Sequence, residues 1–108
     1  MGTYFLDDGT LIEIPRDVGV LTAYAREKLY NLLNMKQYDF GHQLLYKKVL
    51  ERFGHIISIP LQKSRIPIIS EAPPPINYSP VPIAIFKIRK VYYDGQSLYT
   101  LEFIKIEE

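Results

Sequence analysis

The sequence predicts a small mixed α+β domain: two main helices and a mixed sheet of about five strands, closed by a C-terminal β-hairpin. Three observations carry that reading. Asp94-Gly95 stands between two long β-prone runs, and Asp-Gly suits a two-residue type I′ turn. Two earlier stretches repeat apolar residues at three-and-four spacing, the period of a helix. The chain has 108 residues, 47% of them hydrophobic, which is enough for one core and little more. Residues 1–108 are therefore read as a single domain.

Residues 3–6 and 11–14 read as short strands around the turn signal Asp7-Asp8-Gly9-Thr10. Residues 20–34 read as a helix with Leu21, Tyr24 or Ala25, Leu29, Leu32 and Leu33 on its buried side. Residues 41–53 form a second helix, capped by Asp39 and closed at Gly54, with Leu44, Leu45, Val49 and Phe53 buried. Residues 55–59 and 66–69 are β-prone. The stretch 70–82 holds five prolines, which remove ladder donors, so it reads as an extended loop or edge segment. Residues 83–93 and 96–106 make the hairpin. Pairing Tyr93 with Gln96 sets Phe86 across from Phe103, Ile88 across from Leu101 and Lys87 across from Glu102. The opposite face carries Arg89, Val91, Leu98 and Thr100 with Ile83, Ile85 and Ile104. That mixture suggests partial cover by a helix or another subunit.

Bulk properties narrow the function classes. A net charge of +1 gives no support for binding duplex DNA or a membrane surface through bulk charge. The absence of cysteine excludes disulfides, thiolate metal sites and cysteine nucleophiles. The N-terminus lacks a signal-peptide layout and no apolar run is long enough to cross a bilayer, so a cytoplasmic protein is expected. The two histidines have no compact acidic cluster beside them, so neither a metal nor another cofactor is expected. Helices 20–34 and 41–53 invite comparison with a helix-turn-helix. The link is too long, though, and the second helix offers only Lys47, Lys48 and Arg52.

His42 is the main candidate for chemistry. It follows Gly41 at a helix start, where free backbone N–H groups attract phosphate and glycine permits close approach. Imidazole is suited to moving a proton near neutral pH. The competing reading is an ordinary first-turn residue. Lys63, Arg65 and Arg89 are the basic residues suited to phosphate, each with a solvated surface charge as its alternative. His55 follows a helix end, where a cation is favourable in any case.

The order of these features resembles a family of archaeal viruses and mobile elements that includes the viral ring nucleases acting as type III anti-CRISPRs. The similarity lies in Met1-Gly2-Thr3-Tyr4-Phe5-Leu6, Gly41-His42-Gln43, Gly54, Gln62-Lys63-Ser64-Arg65-Ile66 and Phe86-Lys87-Ile88-Arg89. The resemblance implies a homodimer holding cyclic tetraadenylate across its two-fold axis. It also implies metal-independent cleavage by a ribose 2′-OH, giving linear products with a cyclic phosphate end. By position, His42 would be the acid for the leaving oxygen and Arg89 would steady the phosphate. Gly41, Gln43, Lys63 and Arg65 would bind ligand, and Thr10 would stand for a serine of active members. The chain departs from the family at Asp94-Gly95, which turns directly into a strand where the family has an acidic loop and a helix. The alternative expectation is a non-catalytic dimeric protein of the same fold that binds a host protein or nucleic acid.

Overall fold

The computed structural model describes residues 2–36, 41–63 and 81–108. Along the chain run β1 (Gly2–Phe5), β2 (Leu11–Ile14), α1 (Val18–Leu32), α2 (His42–Phe53), β3 (Ile56–Pro60), β4 (Ile83–Tyr93) and β5 (Gln96–Glu107). The α+β class and the closing hairpin are as the sequence predicts. The strands, however, divide into two antiparallel sheets, β1-β2 and β3-β4-β5, where one mixed sheet was expected. Periodicity reports that strands exist and not which edges meet. The two sheets touch through one bridge, in which Phe5 and Gln62 exchange backbone hydrogen bonds of 2.8 and 3.0 Å. The expected β-prone run 66–69, most of the proline-rich stretch and the proposed cap Asp39 lie outside the described residues.

Local chemistry accounts for the first hairpin. Thr10 N–H donates to Asp8 Oδ1 at 2.9 Å, and Gly9 takes φ 88°, so the turn closes on a side chain and a glycine. α1 starts two residues earlier than its apolar pattern. Its N-cap residue Asp17 turns its carboxylate back to Glu13 N–H and to Arg16 rather than onto the helix. At the other end Met35 N–H bonds Tyr30 C=O, Asn34 N–H bonds Asn31 C=O, and Asn34 sits at φ 57°. This is the Schellman arrangement, with asparagine in the left-handed position.

Two expected core residues are corrected. Leu32 is 57% exposed and Phe53 46% exposed, although each continues the buried row of its helix. Both stand in a last turn. Sequence spacing reports which way a side chain faces but not whether a neighbour extends that far. The rows themselves hold: Leu21, Ala25 and Leu29 of α1 join Leu45 and Val49 of α2 in the core. Ile57, Ile59, Ala84, Phe86, Ile88 and Leu101 join it from one face of the three-stranded sheet, and Tyr4, Ile12 and Ile14 from the two-stranded one.

The long hairpin keeps the expected register from Tyr93–Gln96 to Phe86–Phe103, and Asp94 and Gly95 take φ 51° and 77° at its turn. Beyond Phe86 the pairing slips by one residue, leaving Ile104 as an extra residue in β5. A regular ladder would set Lys105 beside Ala84 on the core face. The bulge puts Ile106 there instead, where it packs against the core. β3 pairs only with Ile83 to Lys87, so the rest of the hairpin continues as a two-stranded arm.

Candidate functional site

α2 begins at His42, with Gly41 as its N-cap residue in place of the expected Asp39. Among the described residues no side chain caps this end, and its first turn carries no acidic residue. Gly41 has ordinary extended geometry, φ −73° and ψ 166°, and a Cβ built there meets nothing within 4 Å. The fold itself therefore does not demand glycine at this position. His42 is exposed, and its ring lies 6.2 Å from the ring of Tyr46, centroid to centroid. Tyr46 is buried in the core, and burial pushes its phenol above the usual value against the pull of Arg26.

Gln43 has a structural task. Its Nε2 donates to Tyr99 C=O at 2.8 Å and its Oε1 accepts from Tyr99 N–H at 2.6 Å. The amide thus occupies the outer edge of β5 as a neighbouring strand would, and it clamps the start of α2 to the arm. Nothing in the sequence signals this clasp, because the partners are 56 positions apart and one of them is backbone.

Arg89 stands elsewhere. Its neighbour Ile88 points into the core, so strand alternation directs Arg89 to the opposite face of the sheet, away from both helices. There its Nε lies 2.7 Å from Glu102 Oε2. Glu102 is the cross-strand neighbour of Lys87, as expected, but the ion pair runs diagonally to Arg89. Within the chain His42 and Arg89 lie on different sides of the sheet and do not face one another.

The other candidates are also dispersed. Lys63 Nζ is 3.2 Å from Glu108 Oε1 near the C-terminus of β5. Thr10 belongs to the first hairpin turn, where its hydroxyl and N–H hold the Asp8 carboxyl below the usual carboxylate range. Arg65 lies outside the described residues. His55 Nδ1 is 3.4 Å from Ile88 C=O, and His55 C=O accepts from Ile88 N–H at 2.9 Å, so this residue extends the β3–β4 ladder. Among the described residues no three His, Asp or Glu side chains group closely enough to hold a metal ion. No described helix is long and apolar enough to cross a membrane.

Two features escaped the sequence reading. An open depression between the end of α1 and the flank of α2 has Leu33 and Met35 with Lys48, Glu51 and Arg52 around it. At the arm's tip Tyr92 and Tyr93 are 83% and 73% exposed. The only sequence signal for the tip was the unbroken run of tyrosine beside the turn. No protein-family model matches the chain, and no curated protein or solved structure does so.

Proposed function

We propose that this is a non-catalytic, self-associating interaction protein that grips a partner protein with its hairpin arm. The observation that carries the reading is the exposure of Tyr92 (83%) and Tyr93 (73%) at the end of a two-stranded arm that β3 does not accompany. Tyrosine is among the residues that most often anchor interfaces, since it supplies large amphipathic area at little entropy cost. The tip carries Lys90 and Asp94 together, and the whole chain only +1, which favours a protein over nucleic acid. The engagement of Gln43, Arg89 and Lys63 with groups of the same chain also supports it. The test pairs calorimetry against cyclic tetraadenylate with affinity capture by the parent and by Tyr92→Ser/Tyr93→Ser. No heat of binding and a partner lost only with the double variant are expected. Cyclic-nucleotide binding, or capture indifferent to both tyrosines, would overturn the reading.

A second reading has one observation in its favour: the exposed His42 at an uncapped helix start with open space beside Gly41. In this reading the protein cleaves cyclic tetraadenylate in the host cytoplasm without metal and so blunts type III CRISPR signalling. A ribose 2′-OH gives up its proton to solvent as its oxygen attacks the adjacent phosphorus, the P–O5′ bond breaks, and His42 gives its own proton to the departing O5′. The products are a 2′,3′-cyclic phosphate and a 5′-hydroxyl. Arg89 would have to reach that phosphate from a second copy. Metal-free turnover by the parent that is lost in His42→Ala supports it, and equal turnover by both rejects it.

A further inference from the structure

The face of the three-stranded sheet opposite the core is half apolar, and the described helices leave it uncovered. Ile56 and Ile104 on it are 55% and 46% exposed, and Ile85, Val91 and Leu98 are half-buried. We propose that this face binds a second copy of the chain, with β4 of each protomer lying over β5 of the other. This deepens the self-association in the proposed function and rests on that part of the reading alone.

The argument is self-complementarity. On this face β4 and β5 present paired rows: Val91 beside Leu98, Arg89 beside Thr100, Lys87 beside Glu102. The bulge then puts Ile104 next to the pair Ile85–Lys105. A two-fold axis in the interface, parallel to the strands and midway between β4 and β5, exchanges the two members of every row. Lys87 of one protomer then meets Glu102 of the other, twice over, and Val91 meets Leu98 twice. Ile85 meets the Ile104 bulge. Lys87 thus lands on a carboxylate and Val91 and Leu98 on apolar side chains, while Lys105 lands beside Ile85 and Arg89 on Thr100, so no like charges meet. A face of random composition would not survive that exchange, because like charges would be brought together. Strands of 11 and 12 residues give a strip roughly 35–40 Å long at ~3.4 Å per residue. Only β4 and β5, about 4.8 Å apart, overlap across that axis, so the strip is narrow, the contact falls at or below the lower end of specific interfaces, and the dimer is concentration-dependent. The core-side helices and Tyr92 are left free for another partner, while Tyr93 continues the outer face beyond Val91 at the end of the strip.

The test is sedimentation equilibrium over roughly 1–100 μM, with circular dichroism to verify the fold of each variant. The parent should dimerise. Glu102→Lys and Lys87→Glu each set like charges across the axis and should weaken dimerisation at least about tenfold. Mixed in equal amounts they should form a heterodimer, since Lys87 then meets Glu102 and the introduced lysine meets the introduced glutamate. Ile104→Arg, at an exposed position that does not threaten folding, should leave monomers. A parent that stays monomeric throughout the range overturns the proposal, as does a dimer indifferent to Ile104→Arg or a mixture that restores nothing. None of these outcomes touches Tyr92 or Tyr93, so partner capture by the arm stands or falls separately.

Discussion

Glycines of this chain differ in what the backbone asks of them. Gly95 at φ 77° and Gly54 at φ 92° occupy conformations that a Cβ disfavours, while Gly41 is extended and has empty space around it. Gly95→Ala should therefore cost about 1 kcal/mol or more, and Gly41→Ala should stay within about 0.5 kcal/mol, both measured by urea denaturation. A large loss at Gly41 would mean that the fold itself needs glycine there. Titration offers a second residue-level check. The hydrogen bond to Asp7 raises the Lys28 ammonium above its usual value, and burial raises the Tyr24 and Tyr46 phenols. In all three groups folding favours the protonated form. Their contribution is complete below the unfolded values, near 10.0 for tyrosine and 10.5 for lysine, and fades as pH rises through the folded ones. The urea midpoint should hold to about pH 9 and fall as pH rises past about 10, and fall less in Tyr46→Phe. An equal fall in both would assign the alkaline loss to other groups.

At the scale of elements the bulge in β5 decides which isoleucine is structural. Ile106 sits opposite Ala84 on the core face, and Ile104 is 46% exposed on the other. Ile106→Ala should cost about 1–2 kcal/mol, whereas Ile104→Ala should cost less than about 0.5 kcal/mol. Equal small costs in chemical denaturation would mean that the ladder runs straight, with Lys105 on the core face and both isoleucines on the other. The sequence carried a trace of this, since Phe103-Ile104 are adjacent apolar residues in the strand, as Leu98-Tyr99 are nearer the turn. Alternation alone does not say which of two neighbours is extra. The ends of the helices teach a similar lesson. Leu32 and Phe53 face correctly but project past the body that covers their neighbours, and the length of that body is set by other segments.

Taken as a whole, the molecule is a core of two helices against one sheet face, flanked by a small second sheet, with a hairpin arm that runs beyond β3. Residues on the arm's tip contribute little to that core. Tyr92→Ser/Tyr93→Ser should therefore melt within a few degrees of the parent, because changes at such exposed sites are worth at most about 0.5 kcal/mol each. A large drop in Tm would show that the arm packs on the body. His42 and Arg89 illustrate why a site is harder to read than a fold. Each was chosen for its chemistry, but one lies at a helix start clamped to the β5 edge by Gln43. The other lies behind the sheet, paired with Glu102.

What the sequence determined by itself is everything governed by near neighbours. The Asp94-Gly95 turn, the register up to Phe86–Phe103, the rows of the two helices and the α+β class follow from turn chemistry and from periods of 3.6 and 2. Tertiary structure alone decided how the five strands divide into two sheets and where the bulge falls. It also decided which helix rows run out of cover and that Gln43 ties α2 to Tyr99. Those depend on edges and distances between segments far apart in the chain. The separation of His42 from Arg89 belongs with them, since local spacing fixes the face on which a side chain emerges and only packing fixes what lies across from it.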